Sequence, residues 1–461
     1  MTEFMRSRWL GGVVVLVVVV GLVYLLFGSS DDGPGKGYSV KVERVVSPGG
    51  IEAWLVRDHT VPITAIEFSF RGGAAHDPKG KEGLANLVSG LLDEGAGEIK
   101  SQAFQAKLED LSIRLGFSVG RDTFRGSLKT LNRNRGEAVK LLALALTAPR
   151  FDAAPVERVR LQVLSGIVRQ STDPNFIAGR TWSTAVYAPH PYSRPAEGTS
   201  GSVKAVTADD LKAFVGGRFA RDQLIVGVVG DLTPDDLKPI LDEAFGALPE
   251  RSDFKELPKA EMAAGGETFV IEKDVPQSTI VFGQPGVFRD DPDYYAAYVM
   301  NYVLGGGGFS SRLYSEVREK RGLAYSVASY LNPMRLAATI GGGAGTANAN
   351  VAESLKLIRA EWEKMRDDGI DEEELEDAKT YLTGSFPLRL SSTDRIARLL
   401  VAMQYHDLAI DYIDRRAGLI GAVTRDDVAR VAKKLLDPKG LTVVVVGKPK
   451  SVKATARAPK I

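Results

Sequence analysis

The sequence predicts an α+β protein made of two homologous domains, each a mixed, mostly antiparallel sheet packed with helices, preceded by one transmembrane helix. Three observations lead there. The chain repeats itself at a near-constant offset, its strands and helices come in groups rather than in strict alternation, and one long uncharged stretch stands near its start.

The uncharged stretch runs from Trp9 to Phe27 around a core of valines. As a helix it spans about 28 Å, close to the hydrocarbon thickness of a bilayer. Arg6 and Arg8 precede it, and Asp31 and Asp32 come after it. The positive-inside rule then leaves the N-terminus in the cytoplasm and the bulk of the chain across the membrane. Residues 1–30 are expected to be a cytoplasmic N-terminus and signal anchor, and the Gly-rich residues 31–37 a flexible tether. The segment is not Arg- and Ser-rich like an organelle transit peptide, which favours a single-pass protein of a bacterial inner membrane with its bulk in the periplasm. Cleavage near Gly28-Ser29-Ser30 would instead release a secreted periplasmic form.

The repeat is visible at both ends of a unit of about 215 residues. Thr207-Ala-Asp-Asp-Leu211 recurs as Thr424-Arg-Asp-Asp-Val428, and Leu224–Gly230 recurs as Leu441–Gly447. Each copy reads as a Thr-capped helix followed by a buried β-branched strand ending at Gly. Val61-Pro62 and Asp77-Pro78 match Val275-Pro276 and Asp291-Pro292 at the other end of the unit. The domains are therefore placed at 38–250 and 267–450, with a linker at 251–266 and a basic tail at 451–461. Within the first copy, Ile51 to Leu55 and Ile63 to Arg71 read as paired strands leading to a helix near Leu84. Asp152 to Arg169 and Asp371 to Leu390 read as long amphipathic helices, and helices are expected on one face of each sheet.

Composition excludes several chemistries. There is no cysteine, so disulfides, thiolate metal sites and cysteine nucleophiles are out. The 59 basic and 58 acidic side chains nearly cancel, and no basic stripe suits nucleic acid. Only four histidines occur (His59, His76, His190 and His406), and no two of them stand four apart as paired metal ligands on a helix would.

In the stretch Gly83 to Ala96, Leu84, Leu87, Val88, Leu91 and Leu92 form a buried helical stripe. Asn86, Ser89 and Gly90 share another face, at the spacing that aims two ligands and a base at one point. Here the chain resembles the insulinase/pitrilysin superfamily of zinc peptidases, in the branch of short two-domain subunits that includes the processing peptidases. That family's helix reads Gly-x-Ala-His-x-x-Glu-His, the histidines holding zinc and the glutamate activating water. This chain has Asn86, Ser89 and Gly90 at those positions. In the helix after Phe151-Asp152 it has Gly166 at the further ligand position and Val159 at the supporting glutamate. Neutral Asn and Ser oxygens are poor zinc ligands, and Gly offers none.

The resemblance covers nearly all of residues 40–450. It includes Pro189-His-Pro-Tyr192 with Gly198-Thr199, the late helix around Glu373–Glu376, and above all the ordered run from Leu304 through Gly305–Gly308 to Gly322-Leu-Ala-Tyr325. It implies that Arg318 and Tyr325 stand where the family's second domain contributes an arginine and a tyrosine to the active site, suited to a substrate carbonyl and its oxyanion. From the residues alone, Arg318 reads first as a solvated helix end beside Glu316 and Glu319, with Tyr325 half buried on the next strand. Gly305, Gly306, Gly307 and Gly308 lack a Lys-Ser/Thr ending and so are no phosphate loop; they allow a tight turn and close approach by an extended peptide. Gly341-Gly-Gly343 reads as packing and turn chemistry.

The resemblance thus implies a chain without zinc of its own, the ion being expected in a homologous partner that carries His-x-x-Glu-His. The substrate would be a peptide or unfolded protein, and the membrane would be met through residues 9–27. A peptide-binding or scaffold protein of a membrane complex is the alternative.

Overall fold

Eleven strands make two sheets whose connectivity is the same. The computed structural model describes residues 40–263 and 265–461. The expected anchor at 9–27 and the tether lie outside the described residues, and among those described no helix is long and apolar enough to cross a membrane. In the first half the strands are β1 (Val42–Val46), β2 (Glu52–Arg57), β3 (Ile63–Arg71), β4 (Arg114–Val119), β5 (Thr123–Leu131) and β6 (Leu224–Gly230). In the second they are β7 (Thr268–Glu272), β8 (Gln277–Pro285), β9 (Ala324–Pro333), β10 (Ala338–Ala347) and β11 (Thr442–Gly447).

The first sheet runs β1-β2-β6-β3-β5-β4 and the second β7-β11-β8-β10-β9. Apart from the extra edge strand β1, each strand of one has its counterpart in the other. Among the described residues the only parallel pairs are β2 with β6 and β7 with β11. Both sheets are therefore mixed and mostly antiparallel, with helices packed on them.

The pairing expected from the sequence is corrected by the sheet order. Ile51–Leu55 and Ile63–Arg71 do form strands, but β6 lies between them and pairs with both. The reason is in β6 itself: it is apolar on both faces and buried along nearly its whole length. Such a strand belongs in the middle of a sheet, where both edges are bonded and both faces covered.

The helices that matter for the site are α1 (Leu84–Ser89), α2 (Ala153–Gln170), α3 (Pro174–Tyr187), α4 (Ala208–Arg218), α5 (Glu372–Gly384), α6 (Thr393–Tyr405) and α7 (Arg425–Leu435). The capped pair foreseen from the repeat is α4 and α7. Thr207 and Thr424 each bond the third residue's N–H and receive an Asp side chain in return, a capping box that satisfies two otherwise free donors. The helix expected over Asp371–Leu390 is broken. α5 stops at Gly384, and Phe386–Leu390 continues as a 3₁₀ turn. Pro387 has no N–H to give and disfavours helical backbone in the residue before it.

Helices cover both faces of each sheet, where one face was expected, and the second covering comes from the other half. The first face of each sheet packs on its own helices, around Phe68, Phe70 and Val228 in one core and Phe282, Trp362 and Val445 in the other. On the reverse face of the first sheet lies α6, with Ala397, Leu400 and Met403 against Trp54, Val56 and Val229. On the reverse face of the second lies α3, with Ile177, Ala178 and Trp182 against Phe269, Val444 and Val446. The two helices begin 219 residues apart, so they are equivalent members of the repeat, exchanged between the halves.

The close contacts are backbone-deep. A Cβ on Gly227 of β6 would stand 2.5 Å from the Ala397 carbonyl oxygen, and one on Gly283 of β8 would stand 2.7 Å from the Trp182 ring. The Trp182 indole N–H donates to the Thr442 carbonyl at 3.1 Å. Arg398 pairs with Glu67, and Lys129 with Asp394, at the rim of α6. The segment joining the halves is docked on this seam: Ala260 N–H donates to the Leu336 carbonyl at 2.8 Å and Ala263 N–H to that of Val186 at 2.9 Å.

Gly227→Val should lower stability by about 3 kcal/mol, at the upper end of ordinary overpacking because a backbone carbonyl cannot step aside. Trp182→Phe should cost about 1–2 kcal/mol for the orphaned Thr442 carbonyl. Urea titration of the full chain measures both. A native midpoint for Gly227→Val would show that the helix exchange does not stabilise the fold.

Candidate functional site

The first candidate region is α1 and the helix that crosses it. Asp77, buried just upstream, accepts the Gly83 N–H at 2.9 Å and the Ala85 N–H at 3.1 Å, and so satisfies donors of the first turn of α1. Gly83 has φ +93°, and a Cβ there would meet the Glu197 carbonyl at 2.5 Å. Only glycine fits this entry. Leu84, Leu87, Val88, Leu91 and Leu92 are buried as the stripe requires.

The opposite face carries Asn86, Ser89 and Gly90. The Ser89 hydroxyl donates back to the Asn86 carbonyl at 2.8 Å. Gly90 ends the helix, and a Cβ on it would lie 3.1 Å from Val159 Cγ1 of α2. Gly166, further along α2, has nothing within 4 Å of a Cβ. These positions do not fit a zinc ion: one hydroxyl is committed to backbone, and two positions have no side chain. Among the described residues no group of three or more His, Cys, Asp or Glu side chains gathers. His76 closes a 3₁₀ turn, packs on Phe254 at 4.8 Å between ring centroids, and leaves both ring nitrogens unpartnered.

The second region is built on the other core. Tyr302–Gly306 and Tyr314–Glu319 are π-helical turns, a geometry found often at functional sites. Arg318 lies in the latter. Its guanidinium stands 4.8 Å from the Tyr314 ring centroid and 5.5 Å from that of Tyr325, within cation–π range of both. Glu316, the expected neutralising neighbour, is taken by Lys320 and Arg321. Among the described residues Arg318 has no ion pair. Tyr325 sits at a β-bulge where β9 begins and is 73% exposed. Phe309, 74% exposed, packs edge-on against Tyr314 at 4.8 Å.

The structure thus brings Arg318 and Tyr325 together, and Gly90 against Val159, but the two groups belong to separate cores. Sequence reasoning missed Tyr314 and Phe309. Tyr314 stands four residues before Arg318, a spacing that puts the two on one helix face, and that signal was readable. The glycine run makes the close approach that consecutive glycines allow. A Cβ on Gly305 would meet Ser329 at 2.5 Å, one on Gly306 Asn301 at 2.6 Å, and one on Gly307 Tyr302 at 2.9 Å. The close approach at these three is made by the chain's own atoms, and only Gly308, at φ +61°, faces open space.

Residues 53–200 match the model of the insulinase family, peptidase family M16, and residues 205–382 match that of the peptidase M16 inactive domain. A non-peptidase homolog from Helicobacter pylori is 32% identical over 333 residues, which is 72% of this chain and 77% of that protein. The chain belongs to the peptidase M16 family. An uncharacterized zinc protease from Streptomyces coelicolor is 26% identical over 86% of this chain and 87% of its own length. Among solved structures, a peptidase M16 inactive domain from Pseudomonas fluorescens superimposes with a TM-score of 0.84 at 29% identity, over 91% of this chain and 100% of that one. The inactive-domain model covers mainly the half that carries Arg318 and Tyr325. The first half matches the peptidase model, and there this M16 chain has Asn86, Ser89 and Gly90.

Burial pushes the Asp77 carboxyl up to about 7, and burial, aided by the Arg218 charge, pushes His76 down to about 4. The two act oppositely on stability. Asp77 takes up a proton on folding, so its contribution is present in acid and lost as pH rises towards about 7. His76 gives one up, so its contribution is present above its ordinary value near 6.5 and lost as pH falls towards about 4. Replacing His76 by Phe removes the second effect. The stability of the native chain minus that of His76→Phe, from urea titrations, should therefore grow between about pH 4 and 6.5. A difference that stays constant would show that His76 is not held neutral.

Proposed function

We propose that this chain is the non-catalytic subunit of a two-chain zinc peptidase, lending Arg318 and Tyr325 to the site of a homologous partner that carries His-x-x-Glu-His and the zinc. Peptide or unfolded protein is the substrate. In this reading residues 9–27 anchor the chain in a bacterial inner membrane and its bulk lies in the periplasm, or is released there if the anchor is cut.

The observation that carries the reading is an uncompensated guanidinium clasped by two aromatic faces beside an exposed phenol. Fold stability gives little reason for it: an ion pair would have used Glu316, and a core tyrosine would be buried. As a pair, the Arg fork and the phenol O–H offer donors to a substrate carbonyl and to the oxyanion formed from it. Gly308 and exposed Phe309, whose ring packs edge-on against Tyr314, offer bare backbone and an apolar ring for an extended peptide.

The test mixes the full chain with a zinc-bearing M16 homologue from the same cell and follows cleavage of an unfolded polypeptide. Arg318→Ala and Tyr325→Phe should each lower kcat by about 10²-fold, as loss of one oxyanion donor does, while co-elution of the two chains is unchanged. Full peptidase activity with both variants overturns the shared site. Co-elution without any gain in cleavage by the partner indicates the alternative, a peptide-binding or scaffold subunit.

A further inference from the structure

The turn between β4 and β5 reaches the seam between the halves and is pinned there. Gly120 and Arg121 carbonyls accept the N–H groups of Ala74 and Ala75 at 2.9 and 3.0 Å. Asp122 accepts the Tyr192 hydroxyl and, at 3.4 Å, the Arg335 N–H across the seam. Arg121 is left at the wall of a cavity of about 160 Å³ between α3 and the sheet strands β8, β9 and β10.

Trp182 and Tyr187 of α3 and Tyr330 of β9 are among its walls, and Gly179 leaves one side bare. Tyr330 is half exposed and marks the mouth. The guanidinium has five donors. One meets the Ser183 hydroxyl at 3.2 Å, and Nε is buried with no partner. No carboxylate pairs with Arg121 among the described residues. Arg180, on α3, has its charged form disfavoured first by burial and then by the Arg121 charge, with Glu197 and Glu82 acting the other way.

We propose that this cavity binds a carboxylate carried on a single apolar ring. A cavity near 150 Å³ with apolar walls holds one benzene ring, aromatic walls favour a ring edge-on or offset, and an arginine fork takes a carboxylate through two bonds. The acid is either a free aromatic acid or the C-terminal residue of a peptide. The site stands apart from Arg318 and does not depend on the peptidase reading.

Isothermal titration of the full chain with phenylacetate, phenylacetamide, and Ala-Ala-Phe with free or amidated C-terminus tests this. One-to-one binding of phenylacetate, or of the free peptide acid, at least tenfold tighter than its amide is expected. Binding of phenylacetate marks the free acid as the source, and binding of the peptide acid alone marks the C-terminus. Arg121→Met should weaken the acid at least tenfold. Gly179→Leu, whose Cβ meets nothing within 4 Å, should abolish binding while the protein melts no lower than native. Equal binding of acid and amide, native affinity in Gly179→Leu, or no saturable binding of any probe overturns the proposal.

Discussion

Each sheet is closed on its reverse face by a helix from the other half, and the remaining architecture depends on that exchange. β6 and β11 bury both faces, so each needs two covers, and its own half supplies one. Without α6, Val229, Trp54 and Val56 would face water; without α3, Val444, Val446 and Phe269 would. Gly227 admits a helix backbone carbonyl where any side chain would hold it away. The chain is thus duplicated in connectivity, yet two of the four hydrophobic clusters among the described residues draw on both halves. Residues 40–461 accordingly form one compact unit, and a cut between the halves would strip apolar surface from both.

The same exchange fixes what lies at the seam. Once α3 sits on the second sheet, the β4–β5 turn and the joining segment around Ala260–Ala263 are drawn against it. Polar groups there have to find partners in a low-dielectric setting. Asp122 and Tyr192 do so, and Arg121 only in part. The seam is rigid where its bonds are complete and has room where they are not.

Much of the fold was legible in the sequence because it is written locally. Capping boxes at Thr207 and Thr424 and the β-branched runs after them are short-range signals, and their recurrence exposed the duplication. Helix exchange was not legible. Periodicity says which face of a strand is apolar, but not which helix comes to cover it, and α3 looks alike whichever sheet it serves. The central place of β6 escaped for a related reason: chain order favours pairing β2 with β3, and only its two-sided burial overrules that. At the candidate site the family resemblance supplied Arg318 and Tyr325. The choice between a solvated and an unpaired arginine was itself readable, since Glu316 and Lys320 stand at the i, i+4 spacing that pairs them, while Glu316 and Arg318 point to different sides of the turn.

The two regions differ in how far packing has closed them. In the first half the face that carries Asn86, Ser89 and Gly90 is closed by the chain's own contacts. Ser89 bonds backbone, Gly90 brings α1 against Val159, and a side chain at position 90 would now press on that valine. Packing is tight at position 90, whereas position 166 has nothing within 4 Å of a Cβ. In the second half no such closing has occurred. Arg318 is held by rings rather than neutralised, and Tyr325 remains exposed at a bulge that turns it out of the sheet. A bulge that re-aims a side chain is a specific backbone arrangement, not the default of a regular strand. The contrast between a sealed first region and an open second one is the feature on which the proposed role across an interface rests.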